Sequence, residues 1–250
     1  MLGLDDIQFL ALTLALIVGG IVKGVTGIGL PIVSIAILVN FMEPKIVLAT
    51  IVIPIVVTNL WQAFRMGRIF EPLARFWPMA AAFLICLVAT AHFVAGMDTQ
   101  VLFGVLGISV AIFALPNLFR PHGKPLKAET EKWAGPLSGA LGGILGGVST
   151  IWGPPMMMYF ILLGLPKDTF VRVVGMIWTL GAIPLALSYW ANGLLNDETA
   201  PLSVYACVPG MVGILIGEVI RKKIDQDTFR KVMLVALLII GLNLIRRAVF

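Results

Sequence analysis

The stretch Gly20–Leu38, GIVKGVTGIGLPIVSIAIL, sets a lysine, four glycines and a proline inside an apolar run that could otherwise cross a membrane. Glycine and proline weaken or end helices, so the stretch reads as a turn between two helical segments, with Pro31 where the second should begin. The same order returns in Gly143–Leu162, GILGGVSTIWGPPMMMYFIL, which has Gly-Ile, Gly-Val, a hydroxyl residue and Gly-Pro. Gly20, Ile21, Gly24, Val25 and Thr26 match Gly143, Ile144, Gly147, Val148 and Ser149. One inserted residue then brings Gly29 and Pro31 opposite Gly153 and Pro155.

Composition sets the class in which such breaks must be understood. With 59% hydrophobic and 12% charged residues over 250 positions and a mean hydropathy of +1.01, the chain has too little polar surface for a soluble protein. It reads as an all-α polytopic membrane protein, because only helices or closed barrels satisfy their backbone in lipid. Asp5 and Asp6 stand where a secretory signal carries Lys or Arg, so the first segment is expected to be retained. Cys86 and Cys207 form no CxxC or Cys/His grouping, which speaks against a metal site or a disulfide framework. The net charge of +5 comes from basic residues in short loops and carries topology rather than a nucleic-acid partner. No cofactor motif is present.

Apolar runs fall at about 7–24, 25–41, 46–61, 76–96 and 100–119, then at about 133–149, 151–165, 170–190, 201–220 and 228–245. These are two sets of five, giving a repeat over 1–120, a linker at 121–132 and a second repeat over 133–250. The loop RMGRIFEPLAR has Arg65, Arg68 and Arg75, whereas its counterpart ANGLLNDETA has only acidic charges. AGMDTQ and RKKIDQDTFRK reverse the signs again. Placing RMGRIFEPLAR, the linker, LPKDTFVR and RKKIDQDTFRK in the cytoplasm gathers 14 of the 18 lysines and arginines there. The expected architecture is therefore two inverted-topology repeats with both termini outside, although Arg246 and Arg247 fit that placement poorly.

The two opening segments of each half are short. Ile7–Phe41 and Trp133–Leu165 hold fewer residues than the roughly 40 that two full crossings need. Each pair is either a hairpin with its turn near mid-membrane or two steep helices. Matching interrupted helices in inverted halves are the mark of secondary transporters, with substrate held where the breaks meet. Helix N-termini present free N–H groups and about half a positive charge each, which points to an anion. The candidate site is Lys23, Thr26, Gly27, Ile28, Gly29, Leu30, Ser149, Thr150, Trp152 and Gly153, with Asn59 from the third run. Lys23 is an ionisable residue within a span, and Thr26, Ser149, Thr150 and Trp152 add side-chain donors. Close packing of helices is the rival account of these glycines, weaker for the matched pair than for either stretch alone.

The motifs GVTGIGLP and GGVSTIWGPP, the second followed by an apolar run and GLPKDTF, resemble the TauE/SafE sulfite exporter family, also called 4-toluene sulfonate uptake permeases. The resemblance spans nearly the whole chain. It implies a secondary transporter of the bacterial cytoplasmic membrane that moves a small anion such as sulfite, a sulfonate, sulfoacetate or another organic anion. Thr26, Ile28, Ser149, Thr150 and Trp152 depart from the commoner Gly-rich pattern and leave the anion open. His92 and Glu218 are candidates for proton coupling, weighed against an interfacial role. An anion channel or a non-transporting assembly subunit is the alternative. An enzyme is not expected, since Ser149 and His92 lack any supporting motif such as GxSxG.

Overall fold

Asp5 opens the first helix with a capping box. Its carboxylate accepts from the Gln8 amide at 2.7 Å, and the Gln8 side chain accepts from the Asp5 amide at 3.2 Å. The computed structural model describes residues 4–249 apart from 39, 66–69, 94–103, 105–106, 109–110, 112–113, 116–117, 119–125 and 150–151. Its helices are α1 (Asp6–Thr26), α2 (Leu30–Leu38), α3 (Pro44–Phe64), α4 (Phe70–Phe93), α5 (Ala128–Ser149), α6 (Gly153–Leu162), α7 (Lys167–Ala191), α8 (Thr199–Lys223) and α9 (Gln226–Val249). There is no strand among the described residues, as expected of an all-α membrane chain. Asp6–Thr26, Lys45–Phe64, Lys167–Ala191 and Thr199–Lys223 are long and apolar enough to cross a membrane. The expected run at 100–119 falls largely outside the described residues. Helical positions remain there, and Gly107 lies so close to α9 that an added Cβ would stand 2.7 Å from the Gly241 carbonyl oxygen.

The expected runs 25–41 and 151–165 are helices of only 9 and 10 residues. At about 1.5 Å per residue, each covers roughly half of a 30 Å hydrocarbon core. Both turn back along their predecessor. An added Cβ at Gly19 would clash with Leu30 and Ser34, Ser34 Oγ donates to the Ala15 carbonyl at 3.1 Å, and Gln8 Nε2 donates to the Phe41 carbonyl at 3.1 Å. In the second pair Gly142 faces Trp152 and Met156, while the Leu126 amide reaches the Leu162 carbonyl at 3.3 Å. Each pair is thus a helical hairpin whose two open ends lie together.

Two compact units result, and neither is one half of the sequence. The first joins Met1–Ile69 with Lys167–Asp225, the second Phe70–Pro166 with Gln226–Phe250. In the first unit α1 lies on α8 through glycines on both helices. A Cβ at Gly24 would stand 2.8 Å from the Gly217 Cα, and one at Gly20 would stand 3.0 Å from the Gly213 Cα. Such backbone approach is how helices gain packing energy where lipid offers no hydrophobic drive. Leu12, Leu16, Leu30, Leu38, Ile51 and Leu202 fill the adjoining core.

In the second unit α4 lies on α5 in the same manner. Gly20 meets the backbone at positions 210, 213 and 214, and Gly143 meets α4 at 83, 86 and 87, a constant step of 127. The sequence match of Gly20 with Gly143 therefore has a packing counterpart in each unit.

Candidate functional site

The first break sits at the tip of the first hairpin. Gly27 ends α1 with φ 85° and Gly29 follows with φ 111°, a left-handed region that strains any residue with a Cβ. The Gly27 amide bonds the Lys23 carbonyl at 2.7 Å. Thr26 Oγ1 accepts from the Ile28 amide at 3.2 Å and has the carbonyls of Val22, at 2.8 Å, and Ile28, at 2.6 Å, as acceptors. Its hydroxyl is thereby committed to the turn. The amides of Gly29, Leu30 and Ile32 find no acceptor among the described residues, and the first bond of α2 runs from the Val33 amide to the Gly29 carbonyl at 2.9 Å. Gly29 and Leu30 are buried.

Lys23, one turn before the break, is 1% exposed. Its Nζ donates to Asn59 Oδ1 on α3, and Gln62 Nε2, one turn further along α3, donates to the Lys23 carbonyl at 3.1 Å. Among the described residues no carboxylate lies within ion-pair reach of Lys23. Asn59 Nδ2 and Gln62 Oε1 are buried without a partner among the described residues. From the other side, α7 closes over these two residues. A Cβ at Gly175 would stand 2.7 Å from the Gln62 Cβ and 3.0 Å from the Asn59 carbonyl oxygen. Lys23 therefore neither reaches solvent nor pairs with a described carboxylate.

Arg221 holds the tip in place. It is 2% exposed, and its Nη1 donates to the Gly24 carbonyl at 2.6 Å while its Nε donates to Asp168 Oδ1 at 3.2 Å. Because α1 stops at Thr26, the Gly24 carbonyl has lost its helical donor, and Arg221 supplies one. Lys167 Nζ caps the end of α8 on the carbonyls of Arg221, at 2.8 Å, and Ile224. Glu218 accepts from Trp61 Nε1 at 3.1 Å and faces Arg65 at 3.6 Å, joining α8 to the end of α3. The tip thus lies nearer the basic ends of α3, α7 and α8 than the middle of the first unit.

The second break is only partly described. Trp152 precedes α6 and packs edge-on against Phe83, with ring centroids 6.0 Å apart. Gly153, Pro154, Pro155, Met156 and Met157 are buried, so the methionines serve as packing. The side chains of Ser149 and His92, and the whole of Thr150, lie outside the described residues. The structure brings Lys23, Asn59 and the Thr26–Leu30 turn together, and places Trp152 and Gly153 in the other unit.

The sequence matches the family described as sulfite exporter TauE/SafE over residues 12–244. The chain belongs to the TauE/SafE family. No curated protein and no solved structure shows a significant match to it. For a TauE/SafE protein, whose family members are membrane transporters, the arrangement around Lys23 is chemically apt: a buried ammonium and free amide donors suit an anion.

Sequence reading did not pick out Gln62 and Arg221. Gln62 repeats the polar step of Asn59 three residues on, which places both on one helical face. Arg221 is counted above as a loop charge, yet it lies inside α8 and is buried.

Proposed function

We propose that the protein is a secondary permease for a small sulfur or organic oxyanion, with the anion captured at the Lys23–Asn59 end of the first break. The observation that carries this reading is the buried Lys23 amino group with no carboxylate beside it among the described residues. An unpaired buried charge is costly, and an incoming anion offsets that cost. The amides of Gly29 and Leu30, which have no acceptor among the described residues, supply further donors. Ser149, Thr150, Trp152 and Gly153 form the matching capture point of the second repeat. Both repeats contribute hairpins, and reversed loop charges orient them oppositely across a bacterial cytoplasmic membrane, with the termini outside.

The test is calorimetry on the purified full chain with sulfite, sulfate and short sulfonates. Lys23→Gln keeps the volume and removes the charge, so the dissociation constant for an oxyanion should rise roughly tenfold or more, the worth of a charge-assisted hydrogen bond. The loss should be larger for a dianion than for a monoanion of similar size. Folded wild-type protein that binds a cation or a neutral solute and no oxyanion would contradict the proposal.

A further inference from the structure

The orientation of both amides on α3 follows from their partners when Lys23 carries its proton. An ammonium only donates, so Asn59 must turn its oxygen to Lys23 Nζ and keep its NH₂ on the far side. A backbone carbonyl only accepts, so Gln62 must turn its NH₂ to the Lys23 carbonyl and keep its oxygen free. Two unmet needs remain on one face of α3, both on residues bonded to Lys23: among the described residues the Asn59 Nδ2 donor and the Gln62 Oε1 acceptor have no partner. Asn59 is 1% and Gln62 2% exposed, so bulk water does not satisfy them. Gly175 brings α7 against the Gln62 Cβ and the Asn59 backbone carbonyl.

A site made only of donors would take any oxyanion, and a dianion best. This one adds an acceptor with no donor facing it. A fully deprotonated oxyanion would set its own lone pairs against Gln62 Oε1, whereas an anion that carries an O–H or N–H offers that oxygen a donor. A single water could meet the hydrogen bonds but would leave the Lys23 charge uncompensated.

We infer that Lys23, Asn59 and Gln62 form a binding site for a small monoanion that itself bears a hydrogen-bond donor, such as hydrogen sulfite, and that Gln62 is the residue selecting for the donor. The inference rests on the oxyanion-permease reading above and adds to it the protonation state of the bound species.

Sulfamate and methanesulfonate test it, being monoanions of nearly the same shape that differ in an NH₂ against a methyl group. Both are titrated into the full chain in lipid nanodiscs, with sulfate as a dianion control. The wild type should bind sulfamate more tightly than methanesulfonate by roughly two- to tenfold, the range of one neutral hydrogen bond. Gln62→Met should bring that ratio to about one while methanesulfonate still binds, which also shows that the variant is folded. Should Gln62→Met not fold, the wild-type ratio alone decides. Equal binding of the two monoanions, or preference for sulfate, overturns the selection while leaving the permease reading intact. Binding of none of the three, and no sulfite either, overturns both.

Discussion

Lys23 and Arg221 are both buried cations, yet they serve different ends. Arg221 is held by the Gly24 carbonyl and Asp168, so its work is to hold the break, whereas Lys23 Nζ has one neutral partner among the described residues. Arg221→Met should therefore destabilise the protein by roughly 1.5–3 kcal/mol, as loss of hydrogen bonds to a charged group does. Arg221→Lys should recover only part of this, because an ammonium cannot match the planar fork. Denaturant titration of the detergent-solubilised variants measures the difference, and equal stability of all three proteins would show the contacts to be incidental. At this scale the sequence was legible where a residue broke a pattern: a lysine in an apolar run, or Gly27 and Gly29 in a helix. Gln62 and Arg221 were not, since both stand near helix ends, where polar residues are ordinary. Which face they turn inward depends on α1 and α7 crossing there, and no local pattern encodes that crossing.

The elements most informative about function are the hairpins, α1 with α2 and α5 with α6. Their glycine breaks and positions could be read from the sequence, as could the long helices α3, α4, α7, α8 and α9 to within several residues. That each pair folds back on itself could not, because it depends on Gly19 and Gly142 admitting a backbone that returns along the same helix. A hairpin returns the chain to the side on which it began. Single cysteines at Glu43, just after α2, and at Asn196, in a background lacking Cys86 and Cys207, should thus react with an impermeant thiol reagent in intact cells, and one at Arg68 should not. Labelling at Arg68 would defeat the assigned orientation, and protection at Glu43 alone would mean that the first pair does not return to the outer face.

Over the whole molecule, the compact units cut across the two sequence halves, with α1 seated on α8 and α4 seated on α5. The matching glycines Gly20 and Gly143 were visible. The exchange of partner helices was not, because pairings so distant in sequence leave no periodic trace, although the spacing of Gly213 and Gly217 marks α8 as a close-packing helix. Each unit repeats the same glycine contact, at a constant step of 127 residues. The central claim is that this solute is a small oxyanion. Its most direct test is flux into proteoliposomes holding the purified full chain, with sulfite or a short sulfonate supplied on one side. The account predicts equilibration well above protein-free vesicles, slowed by Lys23→Gln at low anion concentration. Folded protein that passes no oxyanion faster than bare lipid would contradict it.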